Sequence, residues 1–260
     1  MNGPMEVLAL AAFGLIGLAI GSFLNVVIYR VPLGMSVVKP ASACPSCKKP
    51  IRSLDNVPVF SWLFLRGKCR NCRARISPRY PLVELGTAAL WVGCVLRFPK
   101  IEEAAFAALA MSALLALAVI DIDTRRLPNS IVLPAMAVAG LWVFVLSAVR
   151  TDAPFVARAG ACGLAAFGLL FLIALVSGGM GFGDVKLAGF IGIVTGRFAW
   201  QLTVSAILIA FIGGGLVAVV LLAIGRKGRK ETMPFGPALA GGAIAALFIG
   251  VAPVHRLLGI

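Results

Sequence analysis

Long apolar runs separated by short polar stretches dominate the chain. Eight hydrophobic spans are legible, at 5–28, 81–97, 103–121, 130–149, 155–177, 185–196, 200–224 and 236–255. Crossing a bilayer as a helix takes ~17–25 residues, and all but the sixth span reach that length. Asp184 and Lys186 extend the sixth helix past the hydrocarbon. The pattern predicts an all-α, polytopic membrane bundle of about eight spans, interrupted once by a polar insert. Three regions follow: a first transmembrane span at 1–29, a polar insert at 30–80, and a membrane core of seven spans at 81–260. The first span has no basic stretch before it and its strong positive charge comes after it, so it reads as a retained span rather than a removable leader.

Composition agrees with this reading. Only 13% of the 260 residues are charged, 60% are hydrophobic and the mean hydropathy is +1.01. A soluble domain is nearer ~25% charged. The net charge of +14 is unevenly placed: eleven of the 24 Lys and Arg lie in 30–80, where Asp55 is the only acid. Placing that insert inside the cell puts 18 basic residues inside and 6 outside, as the positive-inside rule requires. The N-terminus is then outside. A juxtamembrane basic segment suits anionic lipid headgroups, and no recognition motif for nucleic acid accompanies it.

Two aspartates stand out against the apolar background, Asp121 in AVIDIDTRRLPN (118–129) and Asp184 in GGMGFGDVKLAG (178–189). An ionised carboxylate at membrane depth costs at least ~2.5–3.5 kcal/mol, so a chain seldom keeps one without a use. In the topology above, Asp121 ends a span running inward and Asp184 opens one running outward. Both therefore reach the cytoplasmic face, as a paired-carboxylate site needs. Such a pair hydrolyses a peptide by sharing one proton: one carboxylate takes a proton from water while the other polarises the carbonyl.

The plainer alternatives are a helix-end acid facing headgroups and an incidental acid in a flexible loop. Asp123 suits the first, because residues two apart on a helix point to different faces and only one can share a given site. Arg125 and Arg126 flank the pair, Pro128 breaks the helix and Asn129 caps the next. Gly178, Gly179, Gly181 and Gly183 permit irregular backbone beside Asp184, where an extended substrate strand could be hydrogen-bonded.

The insert carries Cys44-Pro-Ser-Cys47 and Cys69-Arg-Asn-Cys72, separated by 21 residues. Two CxxC knuckles of matched spacing predict a four-cysteine structural zinc site, closed to water and without an open catalytic position. A cytoplasmic location keeps such thiols reduced. Lys48, Lys49, Lys68, Arg70 and Arg73 crowd the knuckles and are expected to lower their thiol pKa values. Cys94 and Cys162 lie inside apolar spans and take no role.

With these motifs in place, the chain resembles the bacterial type IV prepilin peptidases nearly end to end. The resemblance rests on GSFLNVVIYRVP (21–32), the two knuckles, NVPVFSWLFLRGKCRNC (56–72), ISPRYPLVELGTA (76–88), DIDTRRLPN (121–129), GMGFGDVKLAG (179–189) and MPFGP (233–237). GFGD alone is weak, being shared in form with presenilin-type proteases. The resemblance implies an aspartic endopeptidase of the bacterial inner membrane, with Asp121 and Asp184 as the catalytic pair. It would remove the basic leader of prepilins or pseudopilins at the cytoplasmic edge, the bilayer itself being the second partner. It further implies methylation of the new N-terminus with S-adenosylmethionine, with Glu84 of YPLVE at the methyl-transfer site. Helix-dipole attraction at the start of the second span is the plainer reading of Glu84.

Lys186 either snorkels or balances the acidic site. PFGP either closes the cytoplasmic side as a re-entrant turn or marks the start of the last span. His255, the only histidine, lies near the outside end, so histidine-based hydrolysis has no support. Three rival readings remain: a peptidase that only cleaves, an ion-coupled transporter using the two carboxylates, and a presenilin-like protease of other membrane stubs.

Overall fold

The computed structural model of the chain describes residues 3–150, 153–224 and 233–250. Each predicted apolar span forms a helix. These are α1 (Pro4–Arg30), α3 (Arg79–Arg97), α4 (Ile101–Thr124), α5 (Asn129–Arg150), α6 (Ala153–Ser177), α7 (Phe182–Phe198), α8 (Trp200–Ala223) and α9 (Gly236–Ile249). A short helix, α2 (Phe60–Phe64), lies in the polar insert. Among the described residues no strand forms, only isolated bridges. α1, α4, α5, α6 and α8 are long and apolar enough to cross a membrane, whereas α7 has 17 residues and α9 has 14. The expectation of eight crossings is not confirmed: among the described residues five helices combine the length and the apolar character a crossing needs. His255 lies outside the described residues.

The chain packs as two units, Met1–Ser112 and Ala113–Ile260. In the first, α1 pairs with α3 along its length. Gly17 and Gly21 make that approach possible, because a Cβ on either would lie 2.8 Å or 2.7 Å from the α3 backbone at Ala88 and Glu84. A small-xxx-small pair of this kind lets membrane helices touch backbone to backbone, where van der Waals packing replaces the absent hydrophobic drive. Trp91 of α3 donates to Ser112 Oγ at 2.9 Å, satisfying the indole in the apolar interior.

In the second unit α7 is the centre, packed on α5, α6, α8 and α9. Its run from Leu187 to Ile191 is buried on every side. Arg158 of α6 closes its C-terminal end, donating to the carbonyls of Gly196 (2.8 Å), Arg197 (2.7 Å) and Phe198 (3.0 Å). Those carbonyls have no partner within the helix, and in an apolar medium each would be costly unpaired. α4 is the most buried of the five long helices. It ends before Pro128, through a left-handed residue, Arg125 (φ +53°), whose amide donates to the Asp121 carbonyl at 2.8 Å.

Candidate active site and metal centre

Asp121 sits one turn before the end of α4 and is only 4% exposed. Its Oδ2 accepts the Gly236 amide at 2.9 Å, a contact spanning 115 residues. That amide is the first of α9, so the carboxylate meets a helix N-terminus with its unpaired donors and positive dipole end. A Cβ on Gly236 would stand 2.7 Å from Asp121 Oδ2 and 3.1 Å from Cγ, so the approach depends on glycine. The PFGP stretch is therefore the start of α9 and an element of the aspartate's surroundings at once. Phe235 packs on Phe211 of α8 with ring centroids 5.0 Å apart, fixing the turn.

Asp184 lies in the first turn of α7, half-buried, and near enough to Asp121 for the two charges to interact. Three contacts fix that turn. Gly183 lies against Leu127, where a Cβ would come within 2.9 Å of the leucine Cβ. Phe182 meets Phe167 and Phe171 of α6 edge-on, with centroids 6.1 Å and 6.3 Å away. Lys186 Nζ donates to Asn129 Oδ1 at 2.9 Å and lies 4.8 Å from the centre of the Phe182 ring. Asn129 opens α5 as its first residue, and its side-chain oxygen serves Lys186. Asp123 is exposed, on a different face from Asp121. The second unit so brings together Asp121, Asp184 and the Gly236 amide. Sequence reasoning missed Gly236, although MPFGP beside an apolar span was a visible signal.

In the first unit the four knuckle sulfurs lie within 4.8 Å of one another and could hold a metal ion. The two knuckles repeat each other at an offset of 25 residues. Cys44 and Cys69 amides donate to Lys49 and Ala74 carbonyls at 3.0 Å and 2.8 Å. Lys48 and Arg73 are left-handed at φ +59° and +61°, and the bridges Ala43–Pro50 and Lys68–Arg75 close the loops. Cys44 and Cys72 sulfurs stand 3.8 Å apart, the edge of a tetrahedron with ~2.3 Å metal–sulfur bonds.

The amides of Cys47 and Ser46 draw the Cys44 thiol down to about 6. The Ala74 amide acts the same way on Cys72, but desolvation and the crowding sulfurs of Cys47, Cys69 and Cys44 outweigh it and push that thiol up to about 11. Four thiolates do not coexist there without a cation. Backbone amides, rather than the neighbouring Lys and Arg, thus do the lowering that the sequence pattern assigned to basic side chains. Arg70 instead grips Asp55 with contacts of 2.6–3.0 Å, which holds the Asp55 carboxyl below its ordinary value.

Glu84 is 7% exposed and its Oε2 accepts the Val59 amide at 2.7 Å, with Ser22 and Asn25 of α1 beside it. Val59 has φ +62° and ψ −54°, the centre of a γ-turn and a strained state for a β-branched residue. The Phe60 amide turns back to the Pro58 carbonyl at 2.6 Å. Glu84 therefore ties the insert to the membrane helices, a role that its place at a helix start did not disclose.

These features define a class: a multi-pass helical membrane protein with two converging aspartates, one of them buried, and a four-cysteine insert. The chain belongs to the type IV leader peptidase family. Residues 15–98 match the bacterial peptidase A24 N-terminal domain and residues 108–219 match the type IV leader peptidase family. A prepilin leader peptidase/N-methyltransferase of Burkholderia pseudomallei (strain 1026b) is 37% identical over 292 residues, covering 99% of this chain and 93% of its own. Proteins of that name are 37% identical in Pseudomonas aeruginosa PAO1 (90% and 88% covered) and 35% in Bacillus subtilis 168 (90% and 92%). No solved structure matches the chain.

Proposed function

We propose that the chain is a membrane aspartic endopeptidase that removes the leader of prepilins or pseudopilins and then methylates the exposed amine. The observation carrying this reading is the convergence of buried Asp121 and half-buried Asp184 at the end of α4 and the start of α7. Two carboxylates whose charges interact at such a site share a proton rather than carrying two charges. Asp121 is assigned the charged role, because it accepts the Gly236 amide; it draws a proton from water. Asp184 holds the shared proton against the scissile carbonyl. The positive-inside count supports a position for the pair at the cytoplasmic face of the inner membrane. A substrate's apolar stem then lies in the bilayer while its leader stays in water.

The sulfur spacing fits Zn²⁺, held by Cys44, Cys47, Cys69 and Cys72. With all four positions taken by protein, the ion supplies cross-linking of the insert and no bound water. Methyl transfer is supported by the relatives' names and by the buried carboxylate of Glu84, a positioning candidate for the substrate amine. S-adenosylmethionine is the donor that such chemistry implies. Its familiar strand-and-glycine cradle has no counterpart among the described residues.

The test is incubation of the purified chain with a prepilin and S-adenosylmethionine, read by mass spectrometry of the product. Loss of the leader mass plus gain of one methyl group is expected. An intact substrate would contradict the peptidase reading, and a cleaved but unmethylated product would leave a cleavage-only enzyme.

A further inference from the structure

The insert at 30–80 reads as a water-exposed domain, yet its only α-helix presents an apolar face with no protein partner. Phe60, Leu63 and Phe64 of α2 are 66%, 58% and 80% exposed, and the nearby Leu54 is 82% exposed. Positions i, i+3 and i+4 share one side of a helix, so the three α2 residues form a single face. The opposite side is anchored: Trp62 Nε1 donates to the Ile76 carbonyl at 3.2 Å, and its ring covers Gly67.

Depth is set by the neighbouring hydrogen bonds. Val59, immediately before α2, is held by Glu84, five residues beyond Arg79 at the start of α3. At 1.5 Å per residue that is ~7.5 Å along the helix axis. Gly21 of α1, nine residues before Arg30 at that helix's end, lies against the Glu84 backbone at this level, while Asn25 donates to the Tyr80 carbonyl at 3.1 Å nearer the helix ends. The apolar stretch of α3 has begun there, at Pro81. α2 therefore lies alongside the helix ends where headgroups give way to acyl chains, not above them. Interfacial helices bury their apolar face ~5–10 Å into that boundary.

Charge selects the lipid. Arg52, Arg66, Lys68 and Arg73 of the same insert are exposed, and its single acid, Asp55, is already paired with Arg70. Nothing acidic in the insert competes with phosphate groups. We propose that α2 is an interfacial anchor, its Phe60, Leu63 and Phe64 face seated in an anionic leaflet with the basic residues on the headgroups. The rest of the insert is thereby held against the bilayer.

The test places a p-benzoylphenylalanine crosslinker at Phe64 in the full chain, with the same substitution at the exposed knuckle residue Asn71 as reference. Both are reconstituted in nanodiscs of phosphatidylcholine alone or with one-third phosphatidylglycerol, irradiated, and analysed by mass spectrometry. A crosslinker at Leu63 repeats the measurement on the same face in case one substitution disturbs folding. Lipid adducts at 64 and 63 should exceed those at 71 by at least about fivefold and rise with phosphatidylglycerol. Equal yields at all positions, or no dependence on the anionic lipid, would overturn the anchor. So would replacement of lipid adducts by peptide adducts when an apolar stem peptide is added, which would make α2 a substrate surface instead. No cleavage is measured, so the outcome is separate from that of the peptidase assignment.

Discussion

One hydrogen on Gly236 stands where any side chain would collide with the Asp121 carboxylate. Gly236→Ala should consequently push the carboxylate and the α9 amide apart. A misplacement of ~1 Å at a reacting group can cost about 10²-fold in rate, and that loss is the expectation for prepilin cleavage. Unchanged turnover would show that the 2.9 Å contact has no part in the chemistry. The MPFGP stretch marked a turn at this position, but the contact that gives the glycine its meaning is with a neighbour 115 residues away and is not written in the local sequence. Asp121 and Asp184 were legible for the opposite reason: a charged group in apolar sequence is anomalous wherever its partner lies. The structure adds the difference between Asp121, buried, and Asp123, exposed, which helical geometry had already required. Val59 was illegible altogether. A β-branched residue argues against the strained γ-turn conformation it adopts, and the buried Glu84 carboxylate that accepts its amide makes that state understandable.

At the scale of elements, apolar periodicity located the long helices to within a few residues, since burial in lipid demands an uninterrupted run. It passed over α2, whose five residues are too few to show a period. It was silent on the first turn of α7, where Phe182, Gly183 and Lys186 seat Asp184 on three different neighbours. The metal knuckles were legible because matched CxxC spacing fixes local geometry before any tertiary contact forms. Their stability is expected to depend on the ion. Removing zinc with a chelator, or Cys44→Ser, should make 42–76 protease-sensitive while the membrane helices stay protected, as limited proteolysis would register. Zinc retention should also weaken with acid. Cys72, pushed up to about 11 without metal, must give up its proton to bind, so falling pH favours the unbound thiol. The Asp55–Arg70 pair runs in the same direction at lower pH. Its contribution is complete above the ordinary carboxylate value of ~3.9 and disappears as pH falls through the lower folded value. Metal loss setting in nearer neutrality would therefore belong to the thiols and not to this ion pair.

For the whole molecule, topology and catalysis make one joined claim. A pair drawn from the end of α4 and the start of α7 requires that both helices present those ends to the same side of the membrane. The distribution of Lys and Arg along the sequence chooses that arrangement independently of the aspartates. An ion-coupled transporter could use two such acids equally well, but it gives no reason for a four-cysteine insert tied to α3 through Glu84. The decisive measurement is cleavage of a purified prepilin by the full chain and by its Asp121→Asn, Asp123→Asn and Asp184→Asn variants. Removal of either member of the pair should lower the rate by about 10³-fold or more, with Asp123→Asn close to the parent enzyme. Full cleavage by both the Asp121 and Asp184 variants would contradict the paired-aspartate account and return the two carboxylates to an ion-handling role.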